Sequence, residues 1–569
     1  MACITPPPYP MPPARGPARH FVVGGGGSND FAARPTGTVF SADGSFASVS
    51  AGITEAGQIN GTGSQVNNAY TLQLNTNFFT STACTGSPNP SCKGWEQFVY
   101  INDNVNHSAF IQYWLIQYNT TCPGGWTTFQ FTGSTDIYCF KNSPGGASLT
   151  AGQPVSNFGN MTLTGAVTTT SDSVTIVASG SAVGAPGSNA VDAAAGWTDA
   201  EFNVFGDAGG GEANFGMNSS LEVKTTVHNG TKNAPSCELE SFTGETNNLT
   251  LVGTAPIPTQ QAPSIEFNET NVLPGTAASC AAAAGIGDTH LSTFGGLLYD
   301  FQASGDFVLA QTDKSFMVEN RQKSGAPNWP NAAVNKAVAT QMGDTRVAVC
   351  VQPSRLYVDG KTTEMRDGEI LSLPGGVDIL HTGNVYLVED QSGNSMRAED
   401  DGLYINVSVG LGHWPQQVRG ILTNASGHVN QIEARTGAVL TTPFLFSELY
   451  HQYADSWRVP PGESLLSVCG EQEIETGIPK RPFYANNLDP QVYKQARAVC
   501  TAAGVKVRPW LDACTLDVAV IGIETAAKVF VGLRTPVAVG TVVTRRDHDH
   551  DHDRDHDHDH DRDRDEKHK

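Results

Sequence analysis

The apolar residues of this chain come in short, strand-length runs, and nearly every run is closed by Gly, Asn, Ser or Pro. Such punctuation builds sheets, not long helices. The run Ala109 to Tyr118 is the most restrictive. Phe110, Trp114 and Ile116 fall on one face of a strand, and Ile111, Tyr113 and Leu115 on the other. A strand apolar on both faces is covered on both sides. Similar runs at Tyr70 to Phe79, Gln97 to Ile101, Ser173 to Ala178, Glu201 to Phe205 and Leu221 to Val227 predict a β-sandwich over residues 36–255.

Further on, turn dipeptides punctuate a second antiparallel β domain: Asp359-Gly360, Pro374-Gly375-Gly376, Gly393-Asn394 and Asp401-Gly402. Its predicted span is residues 276–470. After residue 487 the texture turns helical, with Asp489 as N-cap, Pro490 at the first helical position, and further helices at Trp510 to Thr515 and Glu524 to Val531. Residues 471–535 are therefore expected to form a small helical cap. Pro/Gly-rich residues 1–35 and the Asp/His-rich tail 536–569 read as disordered, and residues 256–275 as a linker. The fold class expected is mainly all-β, with a sandwich, a second antiparallel module and a helical cap.

Charge and composition narrow the partners. The chain has 569 residues and a net charge of −22, of which residues 547–569 carry −6 (ten Asp and one Glu against three Arg and two Lys). An acidic chain is a poor nucleic-acid binder. No apolar run reaches the roughly 18 residues of a membrane span. The alternating His and Asp of the tail suit weak metal binding at most, for want of preorganisation. GGGG at 24–27 and GDAGGGE at 206–212 lack the following Lys-Ser/Thr of a phosphate loop.

The eleven cysteines include no CxxC pair, which argues for disulfides over zinc. Local spacing predicts Cys84–Cys92, Cys122–Cys139 and Cys500–Cys514. Pairing among Cys237, Cys280, Cys350 and Cys469 stays open. Oxidised cysteines imply an extracellular, secreted protein, although the first residues, MACITPPPYPMPPARGPARHF, hold no apolar signal core.

Residues 285–322, GIGDTHLSTFGGLLYDFQASGDFVLAQTDKSFMVENRQ, resemble the opening of a von Willebrand factor type D domain. RLYVDGKTTEM is similar to the family's short hairpin, GLYINVSVG to its central strand and YADSWRVP to its closing Trp strand. The resemblance covers about residues 280–530. It implies an extracellular binding or matrix-type role, with a protein or glycan ligand. In the family's calcium loop, Asn424 and Asn430 match, but Ser426 and Ile432 stand where carboxylates are usual; Gly295 likewise replaces the Asp of the family's Thr-Phe-Asp-Gly motif. Calcium prefers several carboxylates, so no cofactor is required here and calcium binding is at most weak. Leu422 replaces the cysteine tied to disulfide multimers, and Asp288-Thr289 replaces a cleavable Asp-Pro bond. Asp288 and His290 are expected to anchor a strand.

GWTDAEFNVFGDAGGGEANFG, residues 196–216, is similar to the catalytic-strand segment of the fungal glutamic peptidases. The resemblance implies a secreted sandwich with Glu201 as general base and Gln112 as oxyanion donor. Gln97 and Gln117 compete for the second role, and Asn203 and Phe205 stand where a second acidic group is usual. Burial among aromatics such as Trp114 would raise the Glu201 pKa. The reading is thus a secreted, multidomain binding protein, with an acid glutamic endopeptidase in the first module as the alternative and the type D part as accessory.

Overall fold

A computed structural model describes the chain from Cys3 to Arg545, apart from residues 6–8, 15–21, 104, 252–262, 272–278, 313–314, 326–328, 426–427, 471–476 and 534. Residues 546–569 of the tail assigned to disorder lie outside the described residues, but its start is ordered: Ala538–Gly540 pairs with Leu297–Asp300 and Val542–Val543 with Phe444–Leu445, so disorder does not begin at residue 536.

The first module is a sandwich. One sheet runs in the order Gly146–Ser148, His107–Ile116, Lys93–Asn102, Tyr70–Thr76, Ala200–Gly206, Gly27–Arg34, Ser236–Ser241. A seven-stranded sheet centred on Met161–Val167, Ser41–Val49 and Ser220–His228 covers its inner face. Phe98, Ile111, Tyr113, Phe202 and Val204 alternate into the shared core. Two glycines let the sheets close: a Cβ at Gly44 would overlap the Phe202 ring, and one at Gly165 the Phe98 ring.

Two further boundary expectations are corrected. Gly27–Arg34 is a strand inside the main sheet, with Phe31, Ala32 and Ala33 fully buried, so disorder does not extend to residue 35. Ser264–Thr270, placed in the linker, pairs with Ser220–His228 and buries Ile265 and Phe267. Short alternations settle these segments once a partner strand supplies backbone hydrogen bonds.

The second module is antiparallel, with a meander from Gly305–Gln311 to Lys361–Thr363 and a sheet that includes Ile370–Leu373, Val377–Thr382, Val385–Glu389, Ser395–Asp400 and Ile405–Leu411. The four expected turns fall between these strands; Asp359 and Gly360 both have positive φ, as a tight hairpin turn requires. The stretch expected as a closing Trp strand is helical instead, Ala454–Trp457 continuing from Glu448–Tyr453. Leu449, Tyr450, Tyr453, Ala454 and Trp457 recur at helical spacing and are all buried.

Helices Pro490–Ala503 and Arg508–Ile521 form the cap, the second longer than expected; Asp489 caps the first by accepting from Gln491 N at 2.9 Å. Disulfides join Cys84–Cys92, Cys122–Cys139 and Cys500–Cys514, and two more join Cys237–Cys280 and Cys350–Cys469. Cys237–Cys280 staples the modules together beside a pairing of Ser236–Ser241 with His413–Trp414. Among the described residues no helix is long and apolar enough to cross a membrane.

Candidate functional site

Residues paired across antiparallel strands point to the same face. Register puts Glu201 opposite Asn75, Asn75 opposite Gln97, Gln97 opposite Gln112, and Gln112 opposite Asn142. One acid and four amides thus form a single row across the outer face of the main sheet. The inner face holds the core, so nothing in sandwich packing asks for polar groups here. Glu201, Asn75, Gln97 and Gln112 are nevertheless fully buried, because other segments cross above them.

Glu201 is covered by the loop after Ser236–Ser241. Its carboxylate accepts from Ser241 Oγ at 2.7 Å, Asn75 Nδ2 at 2.9 Å and Phe242 N at 3.2 Å. Burial outweighs these three donors and pushes its pKa up to about 7. Asn203, on the same strand, faces two acids from other strands. Asn203 Nδ2 lies 3.2 Å from both oxygens of Asp30 and 3.2 Å from Glu269 Oε2. Burial, reinforced by the charges of Glu201 and Glu269, raises Asp30 well above its usual range; burial brings Glu269 to about 8 and Glu245 to about 7. Asp30 and Glu269 sit on the two strands hidden in linker-like sequence. The readable signal for Glu269 was the alternation Ile265, Phe267, Glu269.

Gln112 is saturated. Its Oε1 accepts from Met11 N at 2.7 Å and Trp114 Nε1 at 3.1 Å, and its Nε2 donates to Tyr9 O at 3.0 Å and Asn142 Oδ1 at 2.7 Å. Gln97 accepts from Trp114 Nε1 at 3.0 Å and donates to Gln73 at 3.0 Å. Gln117 lies off the row, bonded to Asp136 at 3.1 Å. Strands are spaced about 4.8 Å apart, so the backbones of Glu201 and Gln112, three strands apart, are separated by about 14 Å. Gln97 stands between them. A base and an oxyanion donor acting on one carbonyl must both reach it within hydrogen-bond distance, and this spacing suits a ligand lying along the row better. Below the row is an aromatic shelf: Trp114 lies 6.2 Å from Trp95 and stacks on Phe140 at 5.0 Å.

In the second module, Asn424 is used up internally. Its Oδ1 accepts from Thr293 Oγ1 at 2.6 Å and Gly295 N at 3.0 Å, and its Nδ2 donates to Val429 O at 2.8 Å. A Cβ at Gly295 would collide with that Oδ1, so the missing carboxylate and the turned-in Asn424 belong together. Asn430 is exposed. His290 lies at the junction with the cap. Nδ1 faces Asp300 at 2.6 Å, and Nε2 faces Asp288 at 2.6 Å and Asp517 of the cap helix at 3.1 Å. Burial opposes charging this ring, but the three carboxylates override it and hold its pKa well above the usual value. Asp288, His290 and Asp517 could also offer one ligand atom each to a metal; with carboxylates on both nitrogens, the ring suits an imidazolium clamp between strand and helix.

No curated protein matches the chain. The family model described as von Willebrand factor type D domain matches residues 283–424, so the second module carries a von Willebrand factor type D domain.

Proposed function

We propose that this is a secreted, extracellular binding protein of matrix type, with two interaction modules. The type D domain is one. The outer polar row of the sandwich is the other, and the observation that carries it is the register that aligns Glu201, Asn75, Gln97 and Gln112. Side-chain amides offer a donor and an acceptor each, which suits an extended peptide backbone. Five disulfides among the described residues fit an oxidising compartment. The test is an array of extended peptides and oligosaccharides probed with the chain after residues 1–14, whose Tyr9 and Met11 occupy Gln112, are cut away, and with the same preparation of a Gln97→Ala/Gln112→Ala variant. Peptide binding lost in the variant is the expected result. Glycan binding that ignores the variant would place the ligand site elsewhere.

The second reading is an acid endopeptidase in the sandwich. The observation favouring it is the Glu201 carboxyl itself: buried and raised to about 7, it is protonated at acid pH and placed to act as a general acid, ionising into a base only near neutrality. It requires cleavage of peptide bonds at acid pH that Glu201→Gln abolishes and Gln112→Ala slows by about 10²–10³.

Calcium is not part of either reading. With Asn424 turned inward and Gly295 in place of a carboxylate, calorimetry on the full chain should show no binding tighter than about 10⁻⁴ M, the range of weak extracellular sites. A submicromolar dissociation constant would contradict this.

A further inference from the structure

The outer row already holds a peptide, and it is the chain's own. Tyr9 O accepts from Gln112 Nε2 at 3.0 Å and Met11 N donates to Gln112 Oε1 at 2.7 Å. Pro10 O accepts from Gly209 N at 2.9 Å, Pro12 O from Gly244 N at 2.8 Å, and Ala14 N donates to Phe242 O at 2.9 Å. Pro10, Pro12 and Pro13 have no N–H, so both donors between residues 10 and 14 are satisfied. The Met11 side chain is fully buried against Val99, Ile101, Phe110 and Ala208. A Cβ at Gly244 would come within 3.1 Å of Pro12 O, so the loop is shaped to this segment.

Main-chain bonds for affinity and one side-chain pocket for selectivity are the marks of peptide recognition. Prolines keep such a peptide extended and reduce the ordering entropy of binding. Three of the five peptide bonds from Tyr9 to Ala14 precede proline.

We propose that the groove bounded by Gln112, the loop 206–211 and the loop 241–245 is a binding site for an extended, proline-flanked peptide with an unbranched apolar side chain at its centre, and that Tyr9–Ala14 is its resident, displaceable ligand. The inference rests on reading the outer row as the binding surface, not on catalysis at Glu201. Eight residues join Ala14 to Val23–Gly24, which pairs with Thr246–Asn247. A tether of that length gives an effective concentration on the order of millimolar, so an outside peptide of micromolar affinity enters only when the tether is cut or the segment is dislodged.

The test uses the full chain with a protease recognition sequence placed within residues 15–21, folded before cutting. The probe is a fluorescein-labelled peptide of residues 8–15, followed by anisotropy. The uncut chain should not bind it. The cut chain, dialysed free of its N-terminal piece, should bind it, and a probe carrying Met11→Asp should bind at least about tenfold more weakly, since burying a Met side chain contributes about 1.5–3 kcal/mol. Met11→Asp in the uncut chain should open the groove to the unmodified probe, which covers the case where the inserted sequence disturbs folding. Equal binding to cut and uncut chains, or no binding to a cut chain with unchanged near-UV circular dichroism, would overturn the proposal. Absence of hydrolysis in either sample bears on Glu201 alone.

Discussion

Glu201 shows how one position ties stability to pH. Its folded pKa, about 7, lies above the unfolded value near 4.3 because burial disfavours the charged form. Between those values the folded state binds more protons than the unfolded state, so stability falls as pH rises through that window. Full ionisation costs on the order of 3 kcal/mol. Glu245 and Glu269 are raised in the same sense. The urea midpoint of the sandwich should therefore be higher at pH 5 than at pH 8, and Glu201→Gln should flatten that slope. An unchanged slope would mean that water reaches the carboxylate. His290 works through attraction, with the same sign. Its raised pKa gives a contribution fully present below about 6.5 and lost as pH rises through the folded value. His290→Asn should loosen the cap helix, seen as faster amide exchange in Arg508–Ile521, most clearly near pH 6.

At the scale of elements, the sandwich depends on two close approaches. Gly165→Ala would drive a methyl into the Phe98 ring, and Gly44→Ala one into Phe202. Each should lower stability by about 1–3 kcal/mol, the usual range for an overpacked core, measurable by denaturant titration. Much of this level was readable beforehand. Ala109 to Tyr118 carries large apolar groups on both faces, and its strand is covered on both. The Asp359-Gly360 hairpin and the Asp489 cap follow from local chemistry. Gly27–Arg34 and Ser264–Thr270 carry little local signal because each is a short segment embedded in Gly/Pro-rich sequence and stabilised by partner strands distant in the chain. The strand at Tyr453 to Pro460 is what the type D resemblance implies, but the helical spacing that decides the segment begins upstream at Leu449. Glu201 and Gln112 were both visible as candidates. Their membership of one row was not, since register is a property of four strands together.

At the scale of the molecule, long-range pairings join what the sequence shows as separate parts. Cys237–Cys280 closes a loop 43 residues long and crosses the module boundary, worth about 4 kcal/mol in the chain-entropy model. Replacing both cysteines by Ser should split thermal unfolding into two transitions; a single unshifted transition would show that the Ser236–Ser241 and His413–Trp414 pairing suffices alone. Neither this bridge nor Cys350–Cys469, which spans 119 residues, could be read from local spacing. The central claim is that the outer row binds and does not cleave, because Glu201 and Gln112 stand about 14 Å apart at the backbone. The most direct measurement incubates the chain, with residues 1–14 released, with a denatured protein from pH 3 to pH 6 and follows fragments by mass spectrometry. The prediction is an intact substrate at every pH while the proline-flanked peptide still binds; fragments that disappear with Glu201→Gln would contradict it.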